Sequence, residues 1–266
     1  MTDGTRPEIK IERRGLSLWI WIDREERRNA INPAVIAGIH SAVQMATTDR
    51  DLRAIVLTGA GDKAFCAGAD LSKGTDVFQA MSDEPTTDFG RLARAVKALG
   101  IPLIGRINGD CVAGGMGLMA LCDLTIAADN ARFGLPEVKV GVFPMQVLVM
   151  LRSMMHSRHI NELCLTGKLI PAARGLEMGI VNEVAPYGQL DGRIEKLLAQ
   201  LQASSPAAVR RGKQAIFAME QMGFHEALAF AEAQITIASK SSDAAEGLAA
   251  FNEKRQPRWM DGEGRK

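Results

Sequence analysis

A carboxylate and two segments of small residues hold the chain's candidate chemistry. Ala64-Phe65-Cys66-Ala67-Gly68-Ala69-Asp70-Leu71 follows the apolar run 54–58, and Asn108-Gly109-Asp110-Cys111-Val112-Ala113-Gly114-Gly115-Met116-Gly117 follows the run 102–107. Each segment leads from a strand-like run into a helical pattern, which leaves backbone N–H groups free at a helix start. Such groups bind developing negative charge, and two that converge on one point make an oxyanion hole. Glu137, in Phe133-Gly134-Leu135-Pro136-Glu137-Val138, is the candidate for proton transfer. Its apolar neighbours Leu135, Val138, Val140, Val142 and Phe143 would enclose the carboxylate, and burial raises a carboxylate's pKa and suits it to carry a proton.

These residues need a frame of strands and helices. Residues 9–13 and 16–22 read as two strands joined at Arg14-Gly15. Asn32-Pro33 opens a helix, with Asn at the cap and Pro in the first turn. Val35, Ile36, Ile39, Val43 and Ala46 line one face of it. Strands follow over 54–58, 103–107 and 124–127, and helices over 91–99 and 114–121. Residues 73–88 are polar and irregular and read as a mobile loop. Strands and helices alternate to about Val184. Beyond it come helices over 191–203, 206–219, 225–239 and 244–252, so the fold class is α/β with a helical C-terminal region.

Composition removes several functions. The chain has 266 residues, 47% of them hydrophobic, and a net charge of +1. It can bury a sizeable core, and it offers no basic field for nucleic acid. The basic run Arg24, Arg27 and Arg28 is interleaved with Glu25 and Glu26 and reads as a solvated loop or helix start. No signal-peptide-like stretch and no apolar run of membrane-spanning length occurs, so a cytoplasmic protein without membrane contact is expected. Cys66, Cys111, Cys122 and Cys164 sit in apolar contexts without CxxC spacing, and no histidine lies near Cys66 or Cys111 to activate a thiolate. His156 and His159 are three apart on an expected helix but lack a third ligand, so no metal is expected. Gly115-Met116-Gly117-Leu118-Met119-Ala120 fits a dinucleotide fingerprint only in letters, because six residues separate it from the preceding strand.

Taken in order, these segments resemble the crotonase (enoyl-CoA hydratase/isomerase) superfamily. The resemblance begins at Arg28-Asn29-Ala30-Ile31-Asn32 and passes through Cys66 to Leu71 and the second glycine segment. It continues in Cys122-Asp123-Leu124, Phe133 to Pro144, Leu165-Thr166-Gly167 and Gly175 to Val184, and ends in Phe251-Asn252-Glu253-Lys254-Arg255. It implies a spiral core of ββα units over 1–190, and a helical region over 191–266 for trimerisation and site closure. It also implies an acyl-CoA substrate, no cofactor beyond the coenzyme A of that substrate, and a homotrimer or dimer of trimers.

Carried over residue by residue, the resemblance puts the oxyanion donors at Ala69 and Gly114 and the catalytic carboxylate at Glu137. Arg28, Ala30, Ala67, Asp70, Phe78, Met81 and Lys254 become the substrate- and CoA-binding set, with Phe78 and Met81 at the acyl chain. Loop bracing is the alternative for Asp70, and a solvated helix end is the alternative for Lys254. The chain departs from the family's hydratases at Gly117, where they carry a second Glu. One Glu suits migration of a double bond from the 3-enoyl to the 2-enoyl position. Hydration of a branched or carboxylated enoyl-CoA, with water held by Asp110 or by the substrate, is the alternative. A non-catalytic acyl-CoA-binding protein is another.

Overall fold

The computed structural model describes residues 7–72, Gly74 and 86–260. A hairpin of β1 (Ile9–Arg14) and β2 (Ser17–Ile22) comes first, then α1 (Pro33–Thr48), β3 (Ala54–Gly59) and β4 (Ala64–Cys66). Next come α2 (Asp88–Ala98), β5 (Leu103–Ile107), β6 (Asp110–Val112) and α3 (Gly114–Ala120). The third pair, β7 (Leu124–Ala128) and β8 (Arg132–Gly134), is followed by α4 (Met145–Leu151) and α5 (Ser157–Thr166). Then come β9 (Leu169–Pro171), α6 (Ala172–Glu177), β10 (Glu183–Ala185), α7 (Leu190–Ala203), α8 (Pro206–Met219), α9 (Phe224–Ser239) and α10 (Ser242–Glu253).

Two sheets share these strands. One has the order β1-β2-β3-β5-β7-β10 and the other β4-β6-β8-β9. The pairs β3–β4, β5–β6 and β7–β8 each give one strand to either sheet before the chain turns helical. This is the expected spiral of ββα units. Within the long sheet all pairings after the β1–β2 hairpin are parallel.

The centre of the long sheet is buried on both faces, which is why β3 reads as a continuous apolar run rather than an alternating one. Ile20, Ile22, Ile55, Leu57 and Leu103 point to a core shared with α1, α2 and α3. Trp19, Val56, Ile104 and Ile126 point the other way, onto Leu190, Ile194 and Leu198 of α7. Asn32 caps α1 as expected, its side chain accepting from Val35 N–H.

Two sequence expectations change. The helix expected over 91–99 starts at Asp88, because Thr87 caps it by accepting from Gly90 N–H. His156 is the cap of α5 rather than a member of it, accepting from Arg158 N–H, so the two histidines do not form a helical i, i+3 pair. Among the described residues no helix is long and apolar enough to cross a membrane.

Candidate active site

The two glycine segments meet where β4 and β6 end. These strands pair in parallel, Ala64 opposite Asp110 and Cys66 opposite Cys111, with a bulge between the two pairs. Beyond Cys66, the first segment forms one parallel bridge, between Ile31 and Ala69. Ile31 N–H donates to Gly68 O at 2.7 Å, and Asp70 N–H donates to Ile31 O at 2.8 Å. In a parallel bridge of this kind the middle residue's own N–H points away from its partner, so Ala69 N–H faces away from Ile31.

The second expected donor lies at the start of α3. Gly114 is the first residue of that helix, where an N–H has no intrahelical acceptor. Ala113, just before it, has φ 51° and ψ −128°, a conformation that costs a non-glycine residue about 1–3 kcal/mol. Its N–H is tied to Gly134 O at 2.9 Å. Gly68, at φ +91°, lies against this turn: a methyl group there would come 2.6 Å from Ala113 Cβ and 3.3 Å from Gly114 N. A methyl group on Gly114 would lie 3.7 Å from Ala69 N. Ala69 and Gly114 are therefore brought together, both half-exposed, in a cradle that larger residues would fill.

Glu137 is linked to that cradle through β8. Val112 pairs with Gly134 in register, and Glu137 lies three residues beyond it in a 3-10 turn over Pro136–Val140. Proline begins the turn, where its missing N–H costs nothing. The turn packs on α5, whose closing Gly167 lies close to Pro136, Val138 and Lys139. Glu137 is half-buried, and its Oε2 is buried without a hydrogen-bond partner among the described residues. Burial pushes its pKa above the usual carboxylate value, offset in part by a hydrogen bond from its own backbone N–H. Burial also pushes the Cys164 thiol up, and the nearby Glu137 charge adds to that shift.

Position 117 is filled by its neighbours. A Cβ on Gly117 would lie 2.8 Å from Phe89 Cζ and 3.1 Å from Val147 Cγ2. Phe89 comes from the first turn of α2 and Val147 from α4, and Gln146 of α4 donates to the Thr87 cap, fixing the two helix ends together. Sequence reading missed Phe89, since only a tertiary contact brings it to Gly117.

The other expected residues fall into place as follows. Arg28 is exposed and left-handed at φ 49°, and its carbonyl accepts from Ala67 N–H. Ala30 is buried with its carbonyl bound by Arg24, and Ala67 is half-exposed beside Gly68. Lys254 is exposed at the end of α10. Asp70 is half-buried and binds Arg24 at 2.9 Å, which supports its bracing alternative. Hydrogen bonds from Ser72 and Arg24 hold its pKa down at about 2. Phe78 and Met81 lie outside the described residues.

One reading is corrected. Arg24 is no solvated loop residue: it is 8% exposed, its guanidinium bound on several sides. Asp110, at the lip of the second segment, is tied in place by Arg132, whose Nε and Nη2 donate to its two oxygens at 2.9 and 2.6 Å. As its apolar context led us to expect, Cys66 is fully buried, and burial pushes its thiol up to about 12.

Together, two backbone donors in a cradle of small residues and a desolvated carboxylate suit proton transfer beside a carbonyl. The fold that carries them is crotonase-like: the structure of enoyl-CoA hydratase from Bacillus anthracis aligns with 96% of this chain and 100% of its own, at TM-score 0.89 and 30% identity. The enoyl-CoA hydratase/isomerase family model matches residues 16–262, and the chain belongs to that family. Among its relatives, the 2,3-dehydroadipyl-CoA hydratase of Escherichia coli K12 is 30% identical over 94% of this chain and 97% of the relative. The short-chain-enoyl-CoA hydratase of Clostridium acetobutylicum is 31% identical over 93% and 95%.

Proposed function

We propose that this chain moves a double bond in an enoyl-CoA thioester between the 3-enoyl and 2-enoyl positions, with Glu137 as the proton carrier. Glu137 removes a proton from the α-carbon of the 3-enoyl thioester. The C–H electron pair passes into a dienolate whose oxygen accepts from Ala69 and Gly114 N–H. The proton then returns at the γ-carbon, leaving the 2-enoyl thioester and an ionised Glu137. Donors aimed at a developing oxyanion are worth about 3–4 kcal/mol each in acyl-transfer enzymes. Coenzyme A enters as part of the substrate, with Arg28, Ala30, Ala67 and Lys254 as its proposed contacts.

The observation that supports this reading is the filling of position 117. Phe89 and Val147 occupy the space into which a side chain would grow. A second carboxylate at that position would have to displace an aromatic ring.

Hydration of a carboxylated enoyl-CoA is the second reading, favoured by the relative named for 2,3-dehydroadipyl-CoA. Separate pools of 3-enoyl-CoA, 2-enoyl-CoA and carboxylated 2-enoyl-CoA, analysed by mass spectrometry, distinguish the two. Double-bond migration without a 3-hydroxyacyl product is expected. A 3-hydroxyacyl product from the carboxylated pool alone would establish the second reading, and binding without turnover of any pool would leave an acyl-CoA-binding protein.

A further inference from the structure

Arg24 grips a neighbour of each partner of the Ile31–Ala69 bridge that carries the Ala69 donor. Its Nη1 donates to Ala30 O at 2.7 Å, next to Ile31 on one side. Its Nη2 donates to Asp70 Oδ2 at 2.9 Å, next to Ala69 on the other. The Nε lies 3.2 Å from Glu8 Oε1, at the start of β1. One planar cation thus spans the Ile31–Ala69 bridge from the residue before one partner to the residue after the other.

The base of Arg24 is equally fixed. Its backbone N–H donates to Asn29 Oδ1 at 3.1 Å, and Asn29 N–H donates back to Arg24 O at 2.9 Å. Asn29 is fully buried and left-handed at φ 55°. Its Nδ2 donates to Ala60 O at 2.9 Å and Ala64 O at 2.7 Å, joining Arg24 to the ends of β3 and β4.

We infer that Arg24 is a positioning residue for the reaction: its guanidinium fixes the direction of the Ala69 N–H. Burying a cation is costly, and buried ion pairs give little net stability over apolar packing. A guanidinium adds geometry, because its fork holds donors at fixed angles that an ammonium cannot reproduce. The Ile31–Ala69 bridge stands isolated rather than in a ladder, and the clamp adds a side-chain tie across it. The inference rests on the oxyanion role proposed for Ala69.

The test is Arg24→Lys, which keeps the charge and loses the fork, with Asp70→Asn as the second variant. Each is measured for turnover and for the absorbance of bound 2,4-hexadienoyl-CoA. Donors at the thioester oxygen polarise this conjugated probe and shift its band to longer wavelength. Wild type is expected to show that shift. Arg24→Lys is expected to lose most of it and to lower kcat about 100-fold, the typical effect of an ångström-scale misplacement. Its KM should stay within about threefold, since the coenzyme contacts remain. Asp70→Asn is expected to do the same to a smaller extent, and it decides the matter if Arg24→Lys does not fold. An unchanged band and kcat in the folded variants, beside a shifted wild type, would overturn the clamp and leave the oxyanion hole standing. A wild type with no shift would remove the donor pair itself and the clamp with it.

Discussion

The fold shifts its two carboxylates Glu137 and Asp70 in opposite directions. Burial raises the pKa of Glu137, so the folded chain holds that proton more tightly than the unfolded one. Stability is then unpenalised below the unfolded value of about 4.5, falls as pH rises toward the raised folded value, and stays reduced above it. Glu137→Gln is therefore expected to melt higher than wild type at pH 7, with the gap closing near pH 4. Thermal melts across that range check it, and equal Tm at every pH would contradict it. Asp70 runs the other way, held at about 2 by Ser72 and Arg24. Its contribution is present above the unfolded value near 3.8 and is lost as pH falls toward 2. Asp70→Asn is expected to flatten the acid limb of the same curve. The half-burial of Glu137 was legible from local apolar neighbours such as Leu135, although Val140 is exposed. The burial of Arg24 was not, because its ion-pair partner Asp70 is 46 residues away.

The ends of α2, α3 and α4 decide what position 117 can hold. Replacing glycine inside a helix normally gains about 0.5–1 kcal/mol from backbone entropy, but a Cβ at Gly117 meets Phe89. Overpacking typically costs about 1–3 kcal/mol, so the clash outweighs the propensity. Gly117→Glu is expected to destabilise, and Gly117→Glu combined with Phe89→Ala to recover part of that loss. A double-mutant cycle in denaturant reads the coupling, and strict additivity would show that the ring does not limit the site. Elements with strong periodicity were readable: α8 and β5 begin and end as expected, and Asn32 caps α1. The second sheet was not, since β4, β6, β8 and β9 are three residues each. Three residues are too few to show a period of two, so only their parallel and antiparallel partners define them as strands.

Beyond α7, the helices α8–α10 bury few residues and are held to the rest of the chain by polar ties. Lys213 of α8 donates to Ile101 O and Asp123, and Arg210 donates to Leu52 O. Asp243 accepts from Ser205 Oγ and Ala207 N–H, joining α10 to the start of α8. Meanwhile α9 buries no residue, and Phe224 and Phe251 are 75% and 79% exposed. Large exposed apolar surface of this kind marks contact with another molecule. A second and third copy of this chain are the proposed occupants, in a trimer or dimer of trimers. Phe224→Glu with Phe251→Glu is expected to shift the sedimenting species toward smaller assemblies with monomer folding retained. An unchanged assembly, or a wild-type monomer, would contradict that arrangement.

Proton transfer by Glu137 is tested in D2O with 3-enoyl-CoA, comparing wild type with Glu137→Gln by mass spectrometry and NMR. Wild type is expected to give the 2-enoyl thioester with no 3-hydroxyacyl product. Glu137→Gln is expected to lose at least about 100-fold in rate, the lower range for a general acid–base group. Equal turnover by the two proteins would remove Glu137 from the chemistry, and a 3-hydroxyacyl product from wild type would replace isomerisation with hydration.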